Sequence, residues 1–202
     1  PLFLITESKF DTWLLNQDEF TQNLANNSSI KINKFLSIPN TTGQIDKIIC
    51  LITSDMFCLA NLSLNLSEGD YHVEYSQADD LSLLYIGMAL GFYKFDTFKS
   101  IKYIKNVKIY LPNEYQNILP EIEAAYIVRD MISTPAENLG PKEISGFIHD
   151  MAIEFTAYFD EIVGQDLADQ GYMGIYSVGK ASHREPRLVN LKWGDTSNPA
   201  IS

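Results

Sequence analysis

Positively charged side chains are scarce in this sequence. Its 202 residues include 15 Lys and Arg against 26 Asp and Glu, which gives a formal net charge of -11 at pH 7. Binding to a nucleic acid depends on Lys and Arg side chains that neutralise phosphates, so this balance argues against a nucleic-acid partner. Histidine is also rare, with 3 copies isolated from one another, and the HExxH pattern of zinc hydrolases does not occur.

Cysteines and long apolar runs are also in short supply. Cys50 and Cys58 are too few and too close for a disulfide framework, and we interpret them as buried thiols. No apolar run is long enough to span a bilayer, and the opening sequence PLFLITESKFD turns polar within six residues, unlike a secretory signal. We expect a globular protein, since 46% of the residues are hydrophobic and can form a core. Because signal and membrane-spanning patterns are not found, we also expect it to be cytoplasmic and not to associate with membranes.

The apolar pattern predicts several strands in the first half of the chain. Residues 35–39 and 45–53 are strand candidates, separated by the turn-forming sequence NTTG. The nearly continuous aliphatic run at 48–52 is typical of a strand that is covered on both faces. Alternation over 71–75 predicts a strand with one polar face, and residues 101–111 supply a further strand.

A helix is predicted after the strand at 71–75. Asp79 or Asp80 is expected to cap it, because a carboxylate accepts hydrogen bonds from the free N–H groups of a first helical turn. Gly87 and Gly91 are four residues apart, which predicts close approach of another backbone segment to this helix. The apolar stripe of the helix consists of Leu81, Leu84, Tyr85, Met88 and Phe92.

The second half of the chain has its own set of predicted elements. Two prolines that enclose a polar stretch make residues 112–120 the best domain boundary, and a helix follows over 121–132. Pro141 is expected to open another helix, whose apolar stripe extends to Phe155. Further predictions are strands over 156–159 and 187–193 and a short helix near 165–170 that Gly171 ends.

Alternation of strands and helices predicts the α/β class. We expect a layered mixed or parallel sheet in a small N-terminal domain, followed by the incomplete start of a second α/β domain.

The histidines do not form a recognisable site. His72 and His149 lie on polar faces, and we interpret them as solvated side chains. His183 has two arginines near it, but loops are polar by default, so the same interpretation is preferred. Residues 179–182 have the sequence GKAS, which suggests a phosphate loop but lacks the required GxxxxGK[ST] pattern.

The acidic residues and serines also have ordinary explanations. Three carboxylate pairs are interpreted as helix caps or solvated acidic faces: Asp79 with Asp80, Asp160 with Glu161, and Asp166 with Asp169. Ser133 and Ser182 lack the GxSxG elbow of serine hydrolases. We therefore predict no catalytic, cofactor-binding or metal-binding residue within this sequence.

Four segments between residues 69 and 193 occur in a characteristic order: GDYHVEY, GMALGFYKFDTFK, AAYIVRDMISTPAENLGP and LADQGYMGIYSVGKASHREPRLVNLKW. The last two are the most specific, and together the four resemble the leucine aminopeptidase (cytosol aminopeptidase) family. The resemblance implies a small N-terminal α/β domain, a linking helix and a catalytic domain that holds two divalent metals, manganese or zinc, through carboxylates and a lysine. It also implies peptide substrates and assembly into homo-hexamers.

The family's ligand-bearing segments, GKG…FD[ST]GG and NTDAEGR, are absent from this sequence. Lys180 lies in the preceding GKAS segment and does not match the family's metal-binding lysine. The resemblance thus predicts an N-terminal domain over 1–112, a linking helix over 113–134 and a truncated start of the catalytic domain over 135–202. We expect this fragment to be inactive and to hold no cofactor of its own. The alternative is a non-catalytic α/β module that binds a ligand or packs against sister subunits.

Overall fold

The α/β class predicted from the sequence is present in the computed structural model. The structure describes residues 1–98, 105–195 and 197–198, with the exception of the side chains of Ile32 and Asn33. The chain divides into two compact units, Pro1–Asp130 and Met131–Ser202. The division into domains over 1–112, 113–134 and 135–202 stays a prediction; the boundary between the two compact units, after Asp130, falls in its middle segment.

The first unit contains a five-stranded mixed sheet with the strand order β2-β3-β1-β4-β5. Strands β2 and β3 are antiparallel, and the other neighbouring strands are parallel. The predicted strands at 35–39 and 45–53 are confirmed to within one residue; of the predicted strand at 101–111, residues 101–104 lie outside the described residues. The strands are β1 (Leu2–Thr6), β2 (Phe35–Pro39), β3 (Ile45–Ile52), β4 (Gly69–Ser76) and β5 (Val107–Tyr110).

Both faces of the central strands are buried, as the aliphatic run at 48–52 predicts. Alternate side chains of β3 enter two different hydrophobic clusters, because successive residues of a strand point to opposite faces. Ile48, Cys50 and Ile52 belong to one cluster, and Ile49 and Leu51 belong to the other. Each buried isoleucine or leucine of β3 stabilises the fold by about 1.5–3 kcal/mol relative to an exposed one.

Both cysteines are free thiols, and the predicted burial is confirmed for Cys50 but not for Cys58. Cys50 is fully buried and Cys58 is partly buried. Burial raises the pKa of the Cys50 thiol to about 12, since a thiolate would lose its hydration there.

Helices cover the sheet of the first unit. Helix α2 is not among the predicted elements; the Asp18 carboxylate caps it by accepting the N–H of Thr21 at 2.8 Å. The helices are α1 (Phe10–Leu14), α2 (Glu19–Asn27), α3 (Ile30–Asn33), α4 (Leu62–Asn65), α5 (Ser82–Phe92) and α6 (Leu119–Ser133), with 3-10 turns at Glu7–Lys9 and Asn113–Ile118.

The predicted cap of α5 is displaced by one residue. Leu81 occupies the N-cap position, and its side chain makes no cap hydrogen bond. The Asp80 carboxylate instead accepts both the N–H and the hydroxyl of Ser82, at 2.8 and 2.7 Å, and these bonds hold its pKa below the usual value.

The close backbone approach predicted at Gly87 and Gly91 is confirmed. A Cβ added to Gly87 would lie 1.8 Å from the carbonyl oxygen of Met56, and one added to Gly91 would lie 2.0 Å from that of Ala60. The segment that leads into α4 therefore packs directly on the backbone of α5, which only glycine permits.

The second unit pairs two antiparallel strands, whereas alternation of strands and helices suggests parallel layers. Helix α7 begins at Pro141 as predicted, but its most buried residues are the small Ser145 and Ala152, and Phe155 is 53% exposed. Helix α9 is not among the predicted elements. The elements are α7 (Pro141–Glu154), β6 (Tyr158–Val163), α8 (Gln165–Asp169), α9 (Met173–Gly179) and β7 (Arg187–Lys192). Within the described ranges, no helix has the length and apolarity that crossing a bilayer requires.

Candidate functional site

A tight turn precedes α7 in the second unit. The carbonyl of Pro135 accepts the N–H of Asn138 at 2.8 Å, and the N–H of Gly140 donates to the Glu143 carboxylate at 2.9 Å. The N–H groups of Glu143 itself and of Gly140 hold the pKa of the Glu143 carboxyl below its usual value. We refer to residues 133–141 as the PAEN turn.

Arg184 holds the PAEN turn from a loop almost fifty residues further along the chain. Its guanidinium donates to the carbonyls of Ala136 and Glu137, each at 2.6 Å, and lies 3.2 Å from the Glu137 carboxylate. A planar guanidinium can bind two neighbouring acceptors at once, which a lysine ammonium does less well. We call these contacts of Arg184 with Ala136 and Glu137 the Arg184 clasp.

Three glycines let the segment after His183 pack closely on the rest of the unit. At each glycine a Cβ would meet a side chain of residues 184–186 at 3.0 Å or less, so a larger residue would displace that side chain from its present position. Gly164 also has a φ of +58°, which disfavours other residues. The pairs are Gly140 with Arg184 Nη1 at 2.4 Å, Gly164 with Glu185 Oε1 at 3.0 Å, and Gly179 with Pro186 Cβ at 2.3 Å.

A second polar cluster links α7, β6 and β7. The Ser145 hydroxyl donates to the Glu161 carboxylate, and Arg187 Nη1 donates to the same carboxylate at 2.7 Å. The Ser145 bond first, and Arg187 second, lower the pKa of the Glu161 carboxyl. The interpretation of Glu161 as a helix cap or part of a solvated face is therefore wrong, because β6 turns this side chain toward α7.

An open cavity of about 760 Å³ lies within the second unit beside the Arg184 clasp. Ile144, Ile175 and Val178 contribute apolar wall, and Arg184 and Arg187 contribute the charged groups. Among the described residues that line it, there is no carboxylate, histidine or cysteine. These groups suit the packing of an apolar segment better than acid–base or metal chemistry.

The GKAS sequence does not form a phosphate loop. Gly179 is the last residue of α9, and the N–H groups of Lys180 and Ser182 donate to the carbonyls of Tyr176 and Gly179. These N–H groups are therefore occupied, and the C-terminus of a helix carries partial negative charge that disfavours anions.

The structure does not bring the three histidines together. His72 lies 3.0 Å from the Glu74 carboxylate in the first unit, and His149 packs edge-on against the ring of Phe159. His183 is exposed, and both other histidines are about half exposed, in agreement with solvated side chains.

Across the described residues, no group of three or more His, Cys, Asp or Glu side chains is placed to hold a metal ion. These residues therefore do not fit a two-metal centre of the kind that the resemblance implies, and we derive no catalytic step from them. The absence of catalytic, cofactor-binding and metal-binding residues from the sequence as a whole stays a prediction.

The sequence pattern predicts no role for Arg184 and Arg187, the two arginines near His183. The signal that could have indicated one is a glycine at one end of each helix that residues 184–186 contact, because Gly140 and Gly164 precede α7 and α8 and Gly179 ends α9. A pair such as Gly140 and Arg184 cannot be recognised until the fold places the two residues together.

Two family models match the chain. The model of the M17 aminopeptidase N-terminal domain matches residues 1–112, and the model of the cytosol aminopeptidase family catalytic domain matches residues 126–201. The chain belongs to the M17 aminopeptidase family. The resemblance to leucine aminopeptidases is thus confirmed.

Individual relatives agree with this assignment. Peptidase B of Photorhabdus laumondii is 40% identical over 90 residues, which are 43% of this chain and 21% of that protein. The cytosol aminopeptidase of Coxiella burnetii has the same fold, with a TM-score of 0.86 and 29% identity, over 98% of this chain and 45% of that one. The bottromycin maturation enzyme BotP in complex with Mn shares the fold at 17% identity and a TM-score of 0.73. The chain thus spans less than half the length of these proteins.

Proposed function

We propose that this chain supplies the N-terminal domain and the first part of the catalytic domain of a leucyl aminopeptidase-like enzyme that removes N-terminal residues from peptides. The observation that carries the proposal is the succession of two M17 family models along one chain, the N-terminal domain over 1–112 and the catalytic domain over 126–201. The fold shared with the Coxiella burnetii enzyme over 98% of this chain supports it.

The 202 residues alone are proposed to be inactive. In the longer enzyme, two divalent metals, manganese or zinc, would polarise the peptide carbonyl and lower the pKa of an attacking water. BotP was solved with Mn, which supports a metal requirement in this fold. The described residues of this chain instead act as a framework: the Arg184 clasp fixes the PAEN turn, and the bond of Arg187 to Glu161 fixes the start of β7.

The surface of the second unit supports a role within a larger domain. Among its described residues, the fully buried apolar side chains are Ala152 and Leu167, which are too few for an independent core. Several large apolar side chains are exposed instead: Ile132, Ile153, Val178 and Trp193 are each at least 66% exposed. We propose that further polypeptide of the catalytic domain covers this surface. We also propose that the whole enzyme is a cytoplasmic homo-hexamer that has neither nucleic acid nor a membrane as a partner.

Hydrolysis of leucine p-nitroanilide tests the proposal. The purified 202-residue chain, with Mn²⁺ or Zn²⁺ added, is expected to show no turnover above buffer. A longer chain that adds the GKG…FD[ST]GG and NTDAEGR segments is expected to turn over and to lose activity with a chelator. Turnover by the 202 residues that a chelator abolishes would overturn the proposed inactivity. Sedimentation of the two chains side by side tests whether the longer one forms hexamers.

A further inference from the structure

A smaller cavity lies in the first unit. It has a volume of about 200 Å³ and is bounded by α5, β5 and α6. Protein interiors contain few voids larger than a water molecule, and an apolar cavity of about 150 Å³ accommodates benzene. The cavity is therefore large enough for one substituted ring. Its lining includes Tyr85, Met88, Phe92, Ile109, Ile122 and Tyr126.

Tyr85 is the unusual residue among those that line this cavity. The residue is only 2% exposed, and its hydroxyl has no hydrogen-bond partner among the described residues. Nearly all buried polar groups in folded proteins are hydrogen-bonded, so an unpaired hydroxyl indicates that a partner is supplied from elsewhere. Burial, with Tyr115 and Glu114 nearby, raises the pKa of Tyr85 to about 12, so the hydroxyl keeps its proton at neutral pH and can donate.

The rest of the lining restricts what could be bound. The described residues of the lining include no charged side chain, so an ion would lose its hydration without compensation and a neutral molecule is preferred. Tyr126 donates its hydroxyl proton to the carbonyl of Ala89 and therefore stays fixed in position. Its oxygen retains lone pairs that could accept a further hydrogen bond.

We propose that this cavity is a binding site for a small neutral molecule, a single aromatic ring that carries a hydroxyl group and accepts a hydrogen bond from Tyr85. The ring would fill the apolar volume, and the hydroxyl oxygen would satisfy the buried donor. The site is independent of the proposed peptidase function, because its lining lies wholly within Pro1–Asp130.

Phenol and benzene are the probes that test the site, since they differ only in the hydroxyl. Binding to the 202-residue chain and to its Tyr85→Phe variant would be measured by NMR titration. One neutral hydrogen bond changes affinity by roughly threefold to tenfold. We therefore expect the preference for phenol over benzene to fall by that factor in the variant. We also expect Tyr85→Phe to melt no lower than the parent chain, because no hydrogen bond to a described residue is lost.

Ala89→Leu would fill the cavity and is expected to abolish binding of both probes. Leu83→Ala, at a position of α5 that is 60% exposed and outside the lining, is the matched control and should bind as the parent does. Absence of saturable binding, or the same preference for phenol with and without the Tyr85 hydroxyl, would overturn the proposal. A lower melting temperature for Tyr85→Phe would do the same, because it would show that the hydroxyl already has a partner.

Discussion

Replacing Gly87 by alanine should destabilise the first unit, although alanine is the better helix former. The new Cβ would lie 1.8 Å from the oxygen and 2.6 Å from the carbon of the Met56 carbonyl. Both are backbone atoms, and real Cβ contacts below 3.0 Å essentially never occur, so the helix or the facing segment must move by about an ångström. A rotamer change cannot relieve this overlap.

The expected cost follows from two opposing terms. Alanine gains about 1 kcal/mol over glycine inside a helix, while overpacking a tight contact costs about 1–3 kcal/mol and more where backbone must shift. Because this contact involves backbone, we expect Gly87→Ala to lower the free energy of unfolding by about 2 kcal/mol. Gly146→Ala is the matched control: Gly146 lies inside α7 with no atom within 4 Å of its added Cβ, and it should gain about 0.5–1 kcal/mol.

Urea unfolding measures both changes. In a Trp193→Phe background the fluorescence of Trp13 reports on the first unit, because the sequence has only two tryptophans. Circular dichroism follows the control. A midpoint for Gly87→Ala equal to or above that of the parent would refute the close approach of α5 to the segment at 56–60.

Three further predictions concern single side chains. Arg184→Lys should speed hydrogen exchange of the amides in 133–141 by about tenfold, because an ammonium cannot bind both carbonyls in the guanidinium geometry. In the folded chain the pKa of the Glu161 carboxyl is lowered from 4.5. The carboxylate therefore stabilises the fold fully above pH 4.5, and this stability is lost as the pH falls through the lower, folded pKa. Glu161→Gln should accordingly flatten the fall in melting temperature below pH 4.5. A thiol reagent at pH 8 should modify Cys58 in the native chain and Cys50 only in urea.

Each of these has a contrary outcome. Lys180→Gln, at an exposed position, should leave amide hydrogen exchange in the PAEN turn unchanged. If Lys180→Gln and Arg184→Lys changed this exchange equally, the result would contradict the Arg184 clasp. An unaltered acid profile for Glu161→Gln would count against its bonds to Ser145 and Arg187. Rapid modification of both thiols would show that Cys50 is accessible.

Local patterns were enough to predict most elements of the fold. The aliphatic run of β3 predicted a strand that is covered on both faces, and Gly87 and Gly91 predicted that another backbone segment lies close to α5. Both features depend only on residues that are near one another in the sequence. Pro141 fixed the start of α7 for the same reason. Helix α2 was not predicted, because its buried face uses Thr21 and Ala25 rather than large apolar residues.

The candidate site was less accessible to sequence reasoning. In the sequence, the residues around Glu161 do not distinguish it from a solvated carboxylate. Only the pairing of β6 with β7 brings its side chain to Arg187. The Arg184 clasp likewise joins residues that are far apart in the sequence: Arg184 is 48 positions after Ala136 and 47 after Glu137. At such separations the local residue pattern carries no information about contact.

A calorimetric titration with Mn²⁺ tests the central claim most directly, namely that the 202 residues provide a framework and not the metal ligands. The account predicts no saturable two-site binding by this chain and two sites in a chain that adds the GKG…FD[ST]GG and NTDAEGR segments. Two ions bound tightly by the 202-residue chain, and coordinated wholly by its own atoms, would contradict it.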